Sequence, residues 1–179
     1  MKRKPNKVSS IRPGTCHTDV RIETDKWLDS VSNCEKTCRR AVSAVVESQL
    51  TSLLPIETSI VLADDRFVKD LNEQYRGVNA ATNVLSFPGN WNSQGEIEVQ
   101  HLGDIILAFE TCYGEFLKNK SIAKFDHHIC HLIVHGTLHL IGFDHEITKD
   151  AERMELLETR ILARLNVPNP YVPLNSQWK

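Results

Sequence analysis

The sequence predicts a single α+β domain, in which a mixed four-stranded sheet packs against helices and one buried helix carries histidines. Short apolar runs typical of strands alternate with longer segments of helical periodicity, which is the pattern of an α+β domain. The length of 179 residues suits one domain with its own core. We expect this domain to span residues 19–170, between a disordered basic tail (1–18) and a C-terminal tail (171–179).

Two kinds of segment alternate along the chain. Four runs are apolar or alternate between apolar and polar residues, which predicts strands: 20–25, 59–64, 83–88 and 103–109. Five segments have apolar residues at helical spacing, which predicts helices: 27–49, 65–75, 110–119, 126–141 and 148–165. Asp64 or Asp65 is placed to cap the second helix, and Pro168 stops the last one. The polar segment 89–100 predicts a surface loop.

The composition excludes several classes of protein. Charged residues make up 25% and hydrophobic residues 41% of the chain, which is typical of a globular domain rather than a membrane protein. No apolar run approaches the roughly 18 residues of a membrane span. The five cysteines form an odd set without a CxxC motif, which favours free thiols and a reducing compartment. We therefore expect a cytoplasmic protein without a membrane partner.

The near-neutral net charge hides an asymmetry between the tail and the rest of the chain. The first 18 residues carry five lysines and arginines and no acidic residue, so the net charge of −2 leaves −7 on the remainder. The predicted domain would therefore not bind a polyanion by bulk charge. Contact with RNA requires a local basic patch or the tail acting as a tether.

The segment HGTLHLIGFDH, from His135 to His145, presents histidines in the order HxxxHxxGxxH. His135 and His139 are four residues apart, so on a helix they share one face and can share a cation. Gly142 lets the chain leave the helix, so that His145 can return as a third ligand. Three neutral imidazoles and one open position are typical of catalytic zinc, although imidazole also suits nickel, cobalt and iron.

The zinc-protease motif HExxHxxGxxH has the same ligand spacing, but its glutamate position is occupied here by Gly136. Because that glutamate is the general base of such a protease, the sequence disfavours peptide hydrolysis by this route. The neighbouring histidines His127, His128 and His131 lack the downstream glycine and third histidine at the right distance. We expect them to cap, pack or line the wall of a cleft.

Four segments, in the order LNEQYRG, ATNVLSFPG, HLGDIILA and HLIVHGTLHLIGFDH, resemble the YbeY family of bacterial metal-dependent endoribonucleases. The resemblance covers about residues 59–154 with specific motifs and the preceding helix more loosely. It implies an α+β fold, one zinc ion per chain and cleavage of single-stranded RNA. It also implies a role in 3′-end maturation of small-subunit ribosomal RNA and in ribosome quality control, with ribosomal or ribosome-associated proteins as partners.

The resemblance assigns roles to individual residues. It places the zinc ligands on His135, His139 and His145, and the family arginine on Arg76. Such an arginine makes chemical sense, because a phosphodiester in a five-coordinate state gathers negative charge that a guanidinium can meet with two hydrogen bonds.

Four further residues are candidates for binding substrate or supporting the metal ligands: Asn83, Ser86, Asp104 and Asp144. The family commonly has aspartate where this chain has Asn83, and asparagine can hydrogen-bond but cannot act as a base. No general base is evident from the sequence. Attack by water and attack by the ribose 2′-hydroxyl both stay open.

Two other functions remain as alternatives. In the first, the protein is a ribosome-assembly binding protein whose zinc is structural, with Cys130 or His131 closing the fourth coordination position. In the second, it is a metallopeptidase that takes its base from elsewhere in the fold.

Overall fold

The computed structural model describes residues 15–50, 54–90, 99–119, 122–144 and 148–172. These residues form four strands: β1 (Cys16–Ile22), β2 (Ile56–Ala63), β3 (Val84–Pro88) and β4 (Gln100–Ala108). They form six helices: α1 (Lys26–Ser30), α2 (Cys34–Gln49), α3 (Asp65–Arg76), α4 (Phe109–Lys118), α5 (Phe125–Leu140) and α6 (Thr148–Arg164).

The four strands make one mixed sheet with the order β1-β2-β4-β3. β1 pairs with β2 in parallel and β2 pairs with β4 in parallel, whereas β3 runs antiparallel to β4 at the edge of the sheet. The parallel connections are crossovers that contain helices, as such connections require. The predicted α+β domain with a mixed four-stranded sheet is confirmed.

Each face of the sheet packs against helices, because side chains alternate along the strands. In β4, Ile105 and Leu107 belong to the larger core, which they share with α2, α5 and α6. Ile106 and Ala108 belong to a smaller core, which they share with Val68 of α3. α5 and α3 therefore lie on opposite faces of the sheet.

α5 is the buried helix that the sequence predicts. Ile129, Ile133 and Leu138 are completely buried, and the helix contacts α2, α4, α6 and the sheet. A helix enclosed on so many sides can present polar side chains only where a cleft or a buried partner receives them. The histidines of α5 are therefore confined to a few defined environments.

The helix predicted over 27–49 is wrong in one respect, because the structure divides it into α1 and α2. Asn33 lies between them with a left-handed φ of 56°, a conformation that asparagine tolerates better than most residues. The Trp27 indole donates a hydrogen bond to the Ala63 carbonyl oxygen at 3.0 Å and stacks near Phe125. This anchoring fixes α1 against the core in a direction that α2 does not continue.

The strand boundaries also differ from the prediction. β1 begins at Cys16 rather than at residue 20, so its first three residues fall inside the range expected for the basic tail. β4 begins at Gln100, while residues 91–98 of the predicted loop lie outside the described residues. Residues 1–14 and 173–179 of the two predicted tails also lie outside them. Within the described ranges, no helix is long and apolar enough to cross a membrane.

Candidate active site

A cleft of about 660 Å³ opens where the end of α5 meets β3 and the end of α3. Its lining residues come from four separate parts of the chain: Arg76, Thr82, Asn83, Val84, Ser86, Pro88, His135, His139, Gly142, Phe143 and Asp144. Six of the eight residues predicted for the site are among them. Of the other two, Asp104 does not line the cleft and His145 lies outside the described residues.

His135 and His139 form a pair on one face of α5. Their Nε2 atoms are 3.1 Å apart, and their ring planes are nearly perpendicular. This separation is smaller than twice the usual zinc-to-imidazole distance of about 2.0–2.1 Å, so both nitrogens can reach one cation. The donor set therefore fits a transition metal. Among the described residues, no group of three or more histidine, cysteine, aspartate or glutamate side chains is arranged to hold one.

Glu158 of α6 orients the first histidine of this pair. Its carboxylate accepts a hydrogen bond from His135 Nδ1 at 2.8 Å and a second from His131 Nε2 at 2.9 Å. The Tyr171 hydroxyl donates a third. With Nδ1 carrying the proton, His135 presents a lone pair at Nε2 toward His139, as a metal ligand must.

Glu158 is itself almost completely buried, with 1% of its surface exposed. Burial opposes ionisation, but hydrogen bonds from His131 and His135 outweigh it and lower the pKa of the Glu158 carboxyl to about 2. The sequence analysis missed this residue. The sequence does contain a clue to it, because Glu158 is an acidic residue on the apolar face of α6. It lies four positions after Met154 and three before Ile161, both of which are buried.

Gly136, between the two histidines, lies against the sheet. A Cβ atom at this position would be 2.9 Å from Ser86 Oγ and 3.2 Å from Ile105 Cγ2. The glycine therefore allows α5 to pack closely on β3 and β4. A glutamate here would have to displace the Ser86 and Ile105 side chains, so the close packing disfavours the general base of a zinc protease at this position.

Gly142 ends the histidine helix in the way the sequence predicts. It has a φ of 93°, and the Phe143 amide donates to the Leu138 carbonyl oxygen at 3.0 Å. This is the usual glycine-dependent end of a helix. The turn brings Asp144 to the wall of the cleft.

Arg76 reaches the cleft from the last residue of α3. Gly77 follows it in the left-handed conformation and closes the helix, with its amide donating to the Glu73 carbonyl oxygen at 3.1 Å. The start of the same helix is capped by Asp64, which accepts a hydrogen bond from the Phe67 amide at 2.9 Å. α3 lies on the sheet face opposite α5, so Arg76 meets the histidines at the β3 edge.

The other candidate residues occupy different environments. Ser86 and Asn83 line the cleft from β3 and from the residue that precedes it. Asp104 lies in β4 next to Ile105, whose side chain packs toward α5. Because neighbouring side chains on a strand point to opposite faces, Asp104 points away from α5.

Two of the remaining histidines of α5, His128 and His131, have side-chain partners of their own, whereas the buried Nδ1 of His127 has none among the described residues. His128 Nε2 is 3.0 Å from Glu115 Oε2, and His131 is bound to Glu158. Cys130 faces α2 beside Arg40, and burial raises the pKa of its thiol to about 12. Cys130 and His131 are therefore poorly placed to close a fourth coordination position beside His139, which disfavours a structural zinc site.

The comparisons with known proteins identify a family for most of the chain. The sequence profile of the family described as Endoribonuclease YbeY matches residues 20–166. A protein of that name from Bradyrhizobium diazoefficiens is 43% identical over 164 residues, which cover 89% of this chain and 87% of its own. Another from Rhizobium leguminosarum bv. trifolii is 44% identical over 160 residues, which cover 86% of this chain and 92% of its own.

A solution structure of a Thermotoga maritima protein is similar at 20% identity and a TM-score of 0.46, covering 82% of this chain and 91% of that one. The sequence matches place the chain among the endoribonucleases, enzymes that cut RNA internally. It belongs to the YbeY family.

Proposed function

We propose that this protein is a zinc-dependent endoribonuclease that cuts single-stranded RNA in the cleft between α5 and β3. The carrying observation is the pair of Nε2 atoms 3.1 Å apart, with His135 oriented by Glu158, in the same cleft as Arg76. His135 and His139 would hold the metal, and His145 would be the third ligand. Nickel, cobalt or iron would suit the same imidazoles.

Zinc, when bound, supplies a Lewis acid that polarises the scissile phosphate and eases the loss of a proton from water. The protein's own part is to hold that phosphate and orient the ligands. Glu158 keeps the proton of His135 on Nδ1, so that Nε2 faces the cleft. Such a carboxylate partner also makes the imidazole a stronger donor.

Arg76 would bind the phosphate from the side of the cleft opposite the two histidines. Its planar guanidinium can donate two parallel hydrogen bonds to phosphate oxygens, and it can stabilise the extra negative charge of the five-coordinate state. Asn83 and Ser86 would position the RNA strand along the cleft. Asp144 is the one carboxylate among the described lining residues, and we propose that it supports substrate or ligands from the end of α5.

The products would reveal which nucleophile attacks. Cleavage by water leaves either 5′-phosphate or 3′-phosphate ends, whereas attack by the ribose 2′-hydroxyl leaves a 2′,3′-cyclic phosphate. Replacing the ribose with 2′-deoxyribose at the cleaved position separates the two routes, because only the second requires the hydroxyl. Retention of cleavage would establish attack by water.

We further propose that the natural substrate is ribosomal RNA, cut at the 3′ end of the small-subunit RNA in the cytoplasm, with ribosomal proteins as partners and a part in ribosome quality control. The support is the family membership, together with the net negative charge of residues 19–179. A surface of that sign binds RNA weakly, so a partner protein or the basic tail would deliver the substrate.

The test is cleavage of a labelled single-stranded RNA by metal-loaded protein, with metal content quantified for each sample. Wild type should cut, His139→Ala should lose metal and activity together, and Arg76→Ala should keep metal but lose rate. Equal cleavage by wild type and both variants would show a contaminating nuclease and would overturn the proposal. Stoichiometric metal with no cleavage by wild type would favour the structural-zinc alternative.

A further inference from the structure

Three side chains form a hydrogen-bonded chain that begins at the wall of the cleft. Asn83 Nδ2 donates to both carboxylate oxygens of Glu115, each at 3.1 Å. The Glu115 carboxylate also contacts His128, whose Nε2 is 3.0 Å from Glu115 Oε2. The chain therefore links the residue before β3 to α4 and α5.

The amide of Asn83 has one orientation within this chain. Its Oδ1 accepts a hydrogen bond from the Val84 amide at 2.7 Å, while Nδ2 faces Glu115. Flipping the amide would place two oxygen acceptors against each other. The Asn83 backbone carbonyl also accepts from the Ala108 amide at 3.0 Å and from Cys112 Sγ at 3.3 Å. This cleft residue is therefore held by both its side chain and its backbone.

His128 supports Glu115 from the protein interior. It is 7% exposed, and burial lowers the pKa of its imidazole even though hydrogen bonding to Glu115 raises it. A neutral imidazole with its proton on Nε2 can still donate to the carboxylate. The side chain of Glu115 is 41% exposed, and it does not line the cleft, whereas Asn83 does.

We propose that Glu115 is a positioning residue for RNA cleavage, which holds residue 83 in place on the cleft wall through a pair of one amide and one carboxylate. One member of this pair must then be an amide and the other a carboxylate. An aspartate at position 83 would face Glu115 across about 3 Å, so the two negative charges would repel each other and displace residue 83 from its place on the cleft wall. The inference rests on the cleft being the site of RNA cleavage proposed above.

A reciprocal swap tests this arrangement: N83D, E115Q and the double variant N83D/E115Q. The matched control is N79D, because Asn79 Nδ2 donates to Glu73 Oε1 at 3.1 Å in an exposed pair elsewhere on the surface. KM and kcat for single-stranded RNA are measured on each metal-loaded protein, with thermal unfolding recorded in parallel. A merely structural defect lowers the active fraction and kcat without raising KM.

N83D is expected to lower kcat/KM about tenfold, largely through a higher KM, because the pair then carries two charges. The double variant restores one charge and one amide, so its kcat/KM should return to within about threefold of wild type. E115Q alone should lose about threefold, since the introduced glutamine still offers an oxygen to Asn83, and N79D should match wild type.

Two results would overturn the inference while wild type and N79D still cleave RNA. One is N83D with the KM and kcat of wild type. The other is a double variant that unfolds at the wild-type temperature yet cleaves no better than N83D. If wild type itself does not cleave single-stranded RNA, the proposed function fails and this inference fails with it.

Discussion

Glu158 accepts a hydrogen bond from His135 Nδ1 at 2.8 Å across the interface between α6 and α5. A carboxylate from the last helix thereby determines which nitrogen of a cleft histidine faces the cleft. The same carboxylate is bound by His131 and Tyr171, so it is held from three directions.

Replacing Glu158 with glutamine should weaken metal binding. The glutamine keeps the shape of the side chain but loses the charge that makes His135 a stronger donor, so metal affinity should fall roughly 10- to 100-fold. Competition with a chelator of known affinity measures this directly. Glu152→Gln, an exposed change on the same helix, is the control. Equal affinities for the two variants would contradict the role given to Glu158.

The stability of the fold should depend on Glu158 at acidic pH. The pKa of this carboxyl is lowered from 4.5 to about 2, so its ionised form stabilises the fold above pH 4.5. That contribution should disappear progressively as the pH falls from 4.5 toward about 2. Urea unfolding at pH 7 and pH 3 should show a larger deficit for Glu158→Gln, relative to wild type, at pH 7. A deficit that does not change with pH would refute this linkage.

Gly136→Ala should destabilise the protein. The new Cβ would lie 2.9 Å from Ser86 Oγ and 3.2 Å from Ile105 Cγ2, and overpacking of this kind costs about 1–3 kcal/mol in the free energy of unfolding. Gly114→Ala, in α4, is the matched control, because nothing lies within 4 Å of its added Cβ. There alanine should stabilise the helix by up to about 1 kcal/mol. Denaturant titration of both variants should give changes of opposite sign.

Arg76→Lys should separate charge from geometry in phosphate binding. Lysine keeps the positive charge but cannot donate two parallel hydrogen bonds from a planar group, so kcat should fall about tenfold or more. Metal content should stay at the wild-type level, because Arg76 is not expected to bind the metal. Arg66→Lys, an exposed change in the same helix, should leave kcat unchanged. If Arg76→Lys cleaves at the wild-type rate, a bidentate contact is not needed.

Removing residues 2–14 should reduce the salt dependence of RNA binding. This deletion removes five basic residues and no acidic residue, and each phosphate that the protein no longer neutralises lowers the salt slope for a single strand by about 0.7. Binding of a catalytically inactive protein to labelled RNA, measured over a range of salt concentrations, gives the slope. An unchanged slope would exclude the tail as a tether.

The sequence was sufficient to predict those parts of the fold that depend on residues close together in the chain. The apolar periodicity of α5 and the glycine at its end predict the buried histidine helix and its termination, and both are confirmed. The sequence also predicts a cap at Asp64 or Asp65, and the structure assigns it to Asp64. The break between α1 and α2 was not predicted, because it depends on Trp27 docking against Ala63, which is distant in sequence.

Long-range side-chain pairs explain most of what the sequence analysis missed at the site. Asn83 and Glu115 are 32 residues apart, and Glu158 is 23 residues from His135. No spacing rule connects such pairs, because they meet only after the sheet and helices have packed. A role for Glu158 could still have been predicted locally, since an acidic residue on the apolar face of a helix needs a buried partner.

The close packing of Gly136 on Ser86 has a geometric consequence for catalysis. At Gly136 the helix that carries the histidines contributes no side chain, and the Ser86 and Ile105 side chains of the sheet pack directly against its backbone. The width of the cleft is therefore set by a residue that has no functional group. A larger residue at position 136 should move the two sides of the cleft apart and lengthen the distance between the α5 histidines and the β3 residues of the cleft.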